Sequence, residues 1–168
     1  ADAEAPAGGV ASTEGDIAKL MTMVLADGEL DGAAFIDPLV LAKTYSAHSI
    51  TGGDAHDLTS RTSHYGFGIN VGSTVTGRVS LSHSGAFGWG TATNATMIPD
   101  LDLGIVVLTN GAPSGVPELI VSEFVDLVQF GEETRPWLDI WPGVFASFSD
   151  PAGDLVDETA PTDAAAAG

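Results

Sequence analysis

The sequence contains no cysteine among its 168 residues. This absence excludes disulfide bonds, thiol nucleophiles and cysteine-ligated metals together, and it leaves the redox compartment open. The sequence also has no apolar run near the roughly 20 residues that a membrane-spanning helix needs. No membrane span is therefore expected. No basic segment followed by an apolar one opens the sequence, so any secretory signal would lie outside these residues.

Basic residues are scarce. The sequence has 5 Lys and Arg residues and 23 Asp and Glu residues, which gives a formal net charge of −18. Nucleic-acid phosphates bind cationic surfaces, so this composition argues against a nucleic-acid partner. Anionic membrane surfaces are disfavoured for the same reason. Two explanations of the acidity stay open: adaptation to high salt, which screens self-repulsion, or an ordinary acidic protein with an acidic tail.

The apolar pattern predicts a helix, then strands, then a second helix. Thr13 is a predicted N-cap with Asp16 three residues later, and Gly28 is predicted to end this first helix. The spacing next changes to that of strands, which are predicted at 65–71, 77–82, 91–98 and 103–108. Helical spacing returns over Glu118–Val128, with a predicted inner side formed by Leu119, Ile120, Phe124, Val125 and Val128.

Consecutive strands joined by short turns indicate an antiparallel meander. Helices before and after the meander make the predicted fold class α+β, a mixed α/β arrangement in which the helices flank the sheet. We expect residues 1–150 to form the folded part. Residues 151–168 are acidic and rich in Ala and Pro, and they are predicted to be a disordered tail.

The pattern most suggestive of a site is His83-Ser84-Gly85-Ala86 at the end of a predicted strand. Of the ionisable side chains, histidine is the one that ordinarily changes its charge closest to neutral pH. Glycine has no side chain, so a substrate can approach its backbone closely. Taken alone, a histidine at a strand end is more often a structural hydrogen-bonding residue than a catalyst. The other histidines recur at eight-residue steps, which do not match the usual spacing of metal ligands, so no metal site is expected: His48, His56 and His64.

Several segments occur in the order found in the serine β-lactamase and penicillin-binding protein family. They are Pro6–Thr13, Tyr65–Gly68, His83–Gly85, Met97–Asp100, Leu103–Asn110 and Glu118–Val128. His83–Gly85 lies where this family has Lys-Thr-Gly or His-x-Gly. The chain, from about residue 6 to about residue 141, resembles the C-terminal portion of such a catalytic domain. The His-x-Gly form resembles that of some D,D-peptidases, D-aminopeptidases and esterases more than that of true β-lactamases.

The resemblance implies acyl transfer through a serine ester, on an amide or ester substrate and without a cofactor. It implies that His83 donates a hydrogen bond to a substrate carboxylate or to a hydroxyl of the family's second motif. It also implies that the backbone N–H of Ala86 is one of two oxyanion donors. The substrate-binding residues it implies are Ser84, Gly85, Phe87 and Trp89.

The family's Ser-x-x-Lys and Tyr-x-Asn motifs are absent from these residues. Asp16 and Val40 stand three positions before the two lysines, Lys19 and Lys43. We therefore expect the nucleophile on a missing N-terminal half, an inactive chain when alone, and a small-molecule or peptide substrate. By resemblance, the parent acts outside the cell or in its envelope. The alternatives are a non-catalytic ligand-binding or interaction module on this scaffold and, from the acidity alone, a surface-layer or structural role.

Overall fold

The computed structural model describes residues 5–54, 56–57, 59–87, 90–111 and 113–149. The chain divides into two compact units. The first comprises Ala1–Gly85 and Thr93–Leu108, and the second comprises Ala86–Ala92 and Thr109–Gly168. Within the described ranges, no helix has the length and apolar character needed to cross a membrane. The predicted tail at 151–168 lies outside the described residues.

The helices and strands follow the predicted order, with additional short elements. In chain order they are α1 Ala5–Gly8, α2 Glu14–Leu25, β1 Glu29–Leu30, β2 Ala33–Ala34, α3 Pro38–Ala42, β3 Ser49–Gly52, β4 Ser63–Tyr65, β5 Asn70–Ser73, β6 Val79–Phe87, β7 Thr91–Ile98, β8 Leu103–Thr109, α4 Val116–Phe130 and α5 Trp137–Ser149. Strands β3 to β8 form a six-stranded sheet in which each strand neighbours the next one in the chain. The predicted α+β class and antiparallel meander are confirmed.

Helix α2 begins where the sequence predicts and ends earlier. The Thr13 hydroxyl accepts a hydrogen bond of 3.2 Å from the backbone N–H of Asp16, as expected of an N-cap. At the other end, Gly28 N–H donates to the Met23 carbonyl at 2.8 Å, and Asp27 takes the left-handed conformation with φ of 52°. This pair of features is a Schellman motif, so the helix ends at Leu25 and Gly28 follows its cap.

The core of the first unit joins α2 to the sheet. Its buried members are Met21, Met23, Val24, Leu41, Leu81 and Met97, each exposing 9% or less of its surface. Met21 and Val24 stand three residues apart on the helix, while Leu81 and Met97 come from the adjacent strands β6 and β7. Burial of these side chains removes apolar surface from water and fixes β6, the strand that carries the histidine motif.

The predicted continuous strand over residues 65–71 is wrong, because a turn divides it into β4 and β5. The N–H of Gly66 donates to the Ile69 carbonyl at 2.8 Å and closes this turn. A Cβ on Gly66 would collide with the Thr44 carbonyl oxygen, and Gly68 has a φ of 85°. The alternating glycines therefore permit a close backbone approach and a left-handed turn rather than a continuous strand.

The predicted inner face of α4 is also wrong. Ile120 exposes 41% of its surface, Phe124 36% and Val128 49%, whereas Leu119 and Val125 are half-buried. The residues of this helix that are buried are Pro117, Glu118, Val121 and Asp126. Helix α5 contacts the polar side of α4, because the Trp141 indole N–H donates to the Ser122 hydroxyl at 2.9 Å. The indole donors of α5 thus contact a face of α4 that its hydrophobicity pattern predicts to be exposed to solvent.

Candidate functional site

Strand β6 carries five of the six residues that the sequence assigns to the site. His83, Ser84 and Gly85 belong to the first unit, and Ala86 and Phe87 continue the same strand into the second. Side chains alternate between the two faces of a strand, so His83 shares a face with the buried Leu81 and not with Ser84. The sixth residue, Trp89, lies outside the described residues.

The histidine motif lies on a part of β6 that β5 does not cover. The two strands are antiparallel, and their pairing runs from Ser73 opposite Val79 to Asn70 opposite Ser82. Beyond that last pair, β5 ends and the chain enters the Gly66–Ile69 turn. His83 and the residues after it therefore extend past β5 with no partner from that strand. Such an edge presents backbone groups that an extended peptide can pair with.

Gly85 is not required by its described neighbours. Its carbonyl oxygen accepts a hydrogen bond of 3.3 Å from the Thr93 hydroxyl of β7. A Cβ built on Gly85 would lie 3.5 Å from that same hydroxyl oxygen, which is an ordinary van der Waals distance. The described neighbours would therefore accept a side chain at this position.

The His83 ring is held by a backbone carbonyl. Its Nδ1 atom lies 2.6 Å from the carbonyl oxygen of Gly68. A carbonyl oxygen only accepts hydrogen bonds, so Nδ1 carries the hydrogen and Nε2 is left for other partners. In the neutral ring Nε2 is an acceptor, and it donates only in the imidazolium form. The donor role expected of His83 therefore requires the charged ring.

Gly68 is the part of this arrangement that sequence reasoning missed. The sequence places Tyr65–Gly68 in a strand, where a glycine carbonyl would be satisfied by the sheet. The alternation of Gly66 and Gly68 was the available signal, since glycines within a strand pattern often mark a break in the strand.

The remaining residues of the motif are accessible. Ser84 and Ala86 are exposed, and Phe87 exposes 54% of its surface. No Lys or Arg occurs between Arg78 and Arg135, so His83 is the residue of β6 from Val79 onward that can carry positive charge. Within the described ranges, no three His, Asp or Glu side chains group as metal ligands would.

A comparison with curated proteins found no match. A comparison with protein families found that the model described as Beta-lactamase matches residues 1–129, more than three quarters of the chain. The ordered motifs, the antiparallel sheet and this match agree, and the chain belongs to the Beta-lactamase family.

Proposed function

We propose that this chain supplies the His-Ser-Gly strand of a serine hydrolase that acts on amide or ester substrates through an acyl-enzyme. The family supports a serine hydrolase scaffold. The observation that carries the finer proposal is the open edge of β6, where pairing with β5 stops at Ser82 and the motif begins at His83. A substrate backbone paired along this edge would bring its carbonyl to the strand.

In the proposed reaction, the serine Oγ of a Ser-x-x-Lys motif forms a bond to the substrate carbonyl carbon and gives its proton to a base. The carbonyl oxygen becomes an oxyanion, which the backbone N–H of Ala86 and a second N–H stabilise. The leaving amine or alcohol takes a proton as its bond to carbon breaks, and water then hydrolyses the serine ester. Gly85 adds no side chain beside the substrate.

His83 contributes through Nε2, because Nδ1 is engaged by Gly68. The imidazolium would donate to a substrate carboxylate, the role that the longer lysine plays in the Lys-Thr-Gly form of the motif. The neutral ring would accept a hydrogen bond from a hydroxyl of the second motif. Ser84 and Phe87 are the exposed neighbours that we assign to substrate contact.

In this proposal the nucleophile lies on polypeptide outside the 168 residues. Neither of the two lysines has a serine three positions before it, so the chain contains no Ser-x-x-Lys motif. We use "assembled hydrolase" for this chain combined with the segment that carries Ser-x-x-Lys.

Covalent labelling tests the proposal. The assembled hydrolase is expected to form a stable adduct with a fluorescent penicillin and to turn over a chromogenic ester, whereas the 168-residue chain alone is expected to do neither. A variant with alanine in place of the Ser-x-x-Lys serine is the control for non-specific labelling. An assembled hydrolase that shows neither labelling nor turnover would contradict acyl transfer.

A second candidate is a binding module that retains the scaffold and lacks chemistry. The open β6 edge favours it as well, because strand pairing needs no nucleophile. This candidate predicts that the chain alone folds cooperatively and binds an extended peptide without turnover. Gel filtration and isothermal titration with the chain alone separate the two candidates, because part of a catalytic domain without the rest of that domain is expected to associate through unpaired strand edges.

We further propose that the acidity adapts the chain to high salt outside the cell or in its envelope. The net charge of −18 repels itself at low ionic strength, and the screening length falls from about 10 Å at 0.1 M to about 3 Å at 1 M. The thermal midpoint is expected to rise by about 5 °C between 0.1 M and 2 M KCl, measured by circular dichroism. Replacing the exposed Glu29 and Glu132 with glutamine should reduce this dependence. A flat response would favour an ordinary acidic protein.

A further inference from the structure

The turn that holds the His83 ring is itself held by a separate segment of the first unit. The turn is Gly66–Ile69 between β4 and β5, and its Gly68 carbonyl accepts the 2.6 Å hydrogen bond from Nδ1 of His83. The segment is Lys43–His48, which follows α3. Neither the turn nor this segment belongs to the strand that carries the histidine motif.

Two backbone hydrogen bonds connect this segment to the turn. The N–H of Phe67 donates to the Thr44 carbonyl at 2.8 Å, and the N–H of His48 donates to the Tyr65 carbonyl at 3.0 Å. The two bonds flank Gly66, whose missing Cβ allows the Thr44 carbonyl to approach. They fix the backbone directly before Gly68.

A ring stack adds to these bonds. The His48 imidazole lies over the Phe67 ring with centroids 4.1 Å apart and planes 14° from parallel. Nε2 of His48 lies 2.9 Å from the Lys43 carbonyl oxygen, so Nε2 carries the hydrogen and the ring is oriented by its own segment. Phe67 exposes 65% of its surface, which means that little else packs against it. The stack with His48 therefore restrains an otherwise largely exposed ring.

We propose that His48 and Phe67 are positioning residues that hold the Gly68 carbonyl in place and so fix which nitrogen of His83 carries the hydrogen. The stack restrains Phe67, the backbone bonds restrain the turn, and the turn presents one acceptor to Nδ1. Nε2 is thereby kept as the working nitrogen. The consequence for catalysis rests on the proposed function, whereas the tautomer itself does not.

Nitrogen-15 NMR of the full 168-residue chain tests this inference, at a pH well above the ordinary imidazole pKa. The chain has four histidines, which can be assigned by replacing them one at a time. Wild-type His83 is expected to be protonated at Nδ1. Phe67→Leu is expected to lower the ratio of the Nδ1–H to the Nε2–H tautomer by about tenfold, the equilibrium effect of one hydrogen bond. His48→Ala should act in the same direction, and Phe67→Tyr should restore the wild-type ratio.

Phe35→Leu and His56→Ala are the matched controls. Phe35 exposes 67% of its surface, nearly the same fraction as Phe67, and has no part in the stack. Both controls are expected to leave the His83 tautomer unchanged. In the assembled hydrolase, Phe67→Leu is expected to lower kcat several-fold with little change in KM, and Phe67→Tyr to recover it.

Two results would overturn the inference. One is a wild-type His83 that carries its hydrogen on Nε2, which decides the matter even if a variant fails to fold. The other is an unchanged tautomer ratio in folded Phe67→Leu and His48→Ala variants. Neither result bears on penicillin labelling, and a failure of labelling leaves the tautomer measurement intact, so the inference and the proposed function fail separately.

Discussion

Replacing His83 with alanine is expected to lower kcat/KM of the assembled hydrolase by about 10²- to 10³-fold. The imidazole is the only side chain of β6 from Val79 onward that can carry positive charge, and its Nδ1 is already committed to the Gly68 carbonyl. Alanine removes Nε2 and therefore both proposed roles, the charged donor and the neutral acceptor. Steady-state hydrolysis of a chromogenic ester measures the effect, and most of the loss is expected in kcat.

Two substitutions separate a role in chemistry from a role in the fold. His83→Lys retains a cationic donor and is expected to keep more activity than alanine toward substrates that bear a carboxylate. His56→Ala removes an exposed loop histidine whose backbone N–H donates to Asp54, a bond that alanine can keep, and it should leave kcat/KM unchanged. If His83→Ala matched wild type within about twofold while folded, His83 would have no part in the reaction.

The sequence predicted the order of the elements because local signals decided each one. Thr13 capped its helix, and turn residues separated strands whose side chains alternate. The fold class followed, since neighbouring strands joined by short turns pair with each other. The sequence placed His83 at the end of a strand over residues 77–82, but it did not predict that β6 continues to Phe87 and carries Ser84 and Gly85 as well.

Contacts between distant segments were not predictable. The sequence predicts that Gly66 belongs to a strand. In the structure the carbonyl of Thr44, more than twenty residues earlier in the chain, lies where a Cβ of residue 66 would be. The bond from His83 to Gly68 depends on that turn. The buried face of α4 was predicted incorrectly because the hydrophobicity pattern of α4 contains no information about α5. The Trp141 indole N–H of α5 needs a polar partner, which is the Ser122 hydroxyl of α4. In each case the structure depends on a hydrogen bond to a backbone or indole group, and the spacing of residues in the sequence does not show which partner such a group will have.

Asp126 is the polar centre of the contact between α4 and α5. Its Oδ2 atom accepts from the backbone N–H of Thr134 at 2.8 Å, from the Thr134 hydroxyl at 2.6 Å and from the Trp137 indole N–H at 2.7 Å. The residue exposes only 4% of its surface. Burial, the largest single influence, raises the pKa of Asp126, but the bonds from Thr134 and Trp137 and the charge of Arg135 outweigh it and leave the pKa below its ordinary value.

Asp126→Ala is therefore expected to lower the free energy of unfolding of the α4–α5 pair by about 3 kcal/mol. Alanine removes the acceptor that the indole N–H and both Thr134 donors share. Asp126→Asn keeps an acceptor oxygen and loses the charge, so about half that loss is expected. Urea unfolding followed by tryptophan fluorescence measures both, since Trp137 and Trp141 lie on α5. Glu132→Ala, an exposed carboxylate nearby, should change the free energy of unfolding by less than about 0.5 kcal/mol.

The pH dependence of the free energy of unfolding is a second test of the role of Asp126. Because the folded pKa of Asp126 lies below the ordinary 3.8, the folded state binds this proton less readily than the unfolded state. The carboxylate thus contributes its stabilisation above about pH 4 and loses it as the pH falls through the folded pKa. The difference between wild type and Asp126→Asn should therefore shrink below pH 4. A difference that stays constant across this range, or an alanine variant as stable as wild type, would show that the hydrogen bonds to Oδ2 do not stabilise the α4–α5 pair.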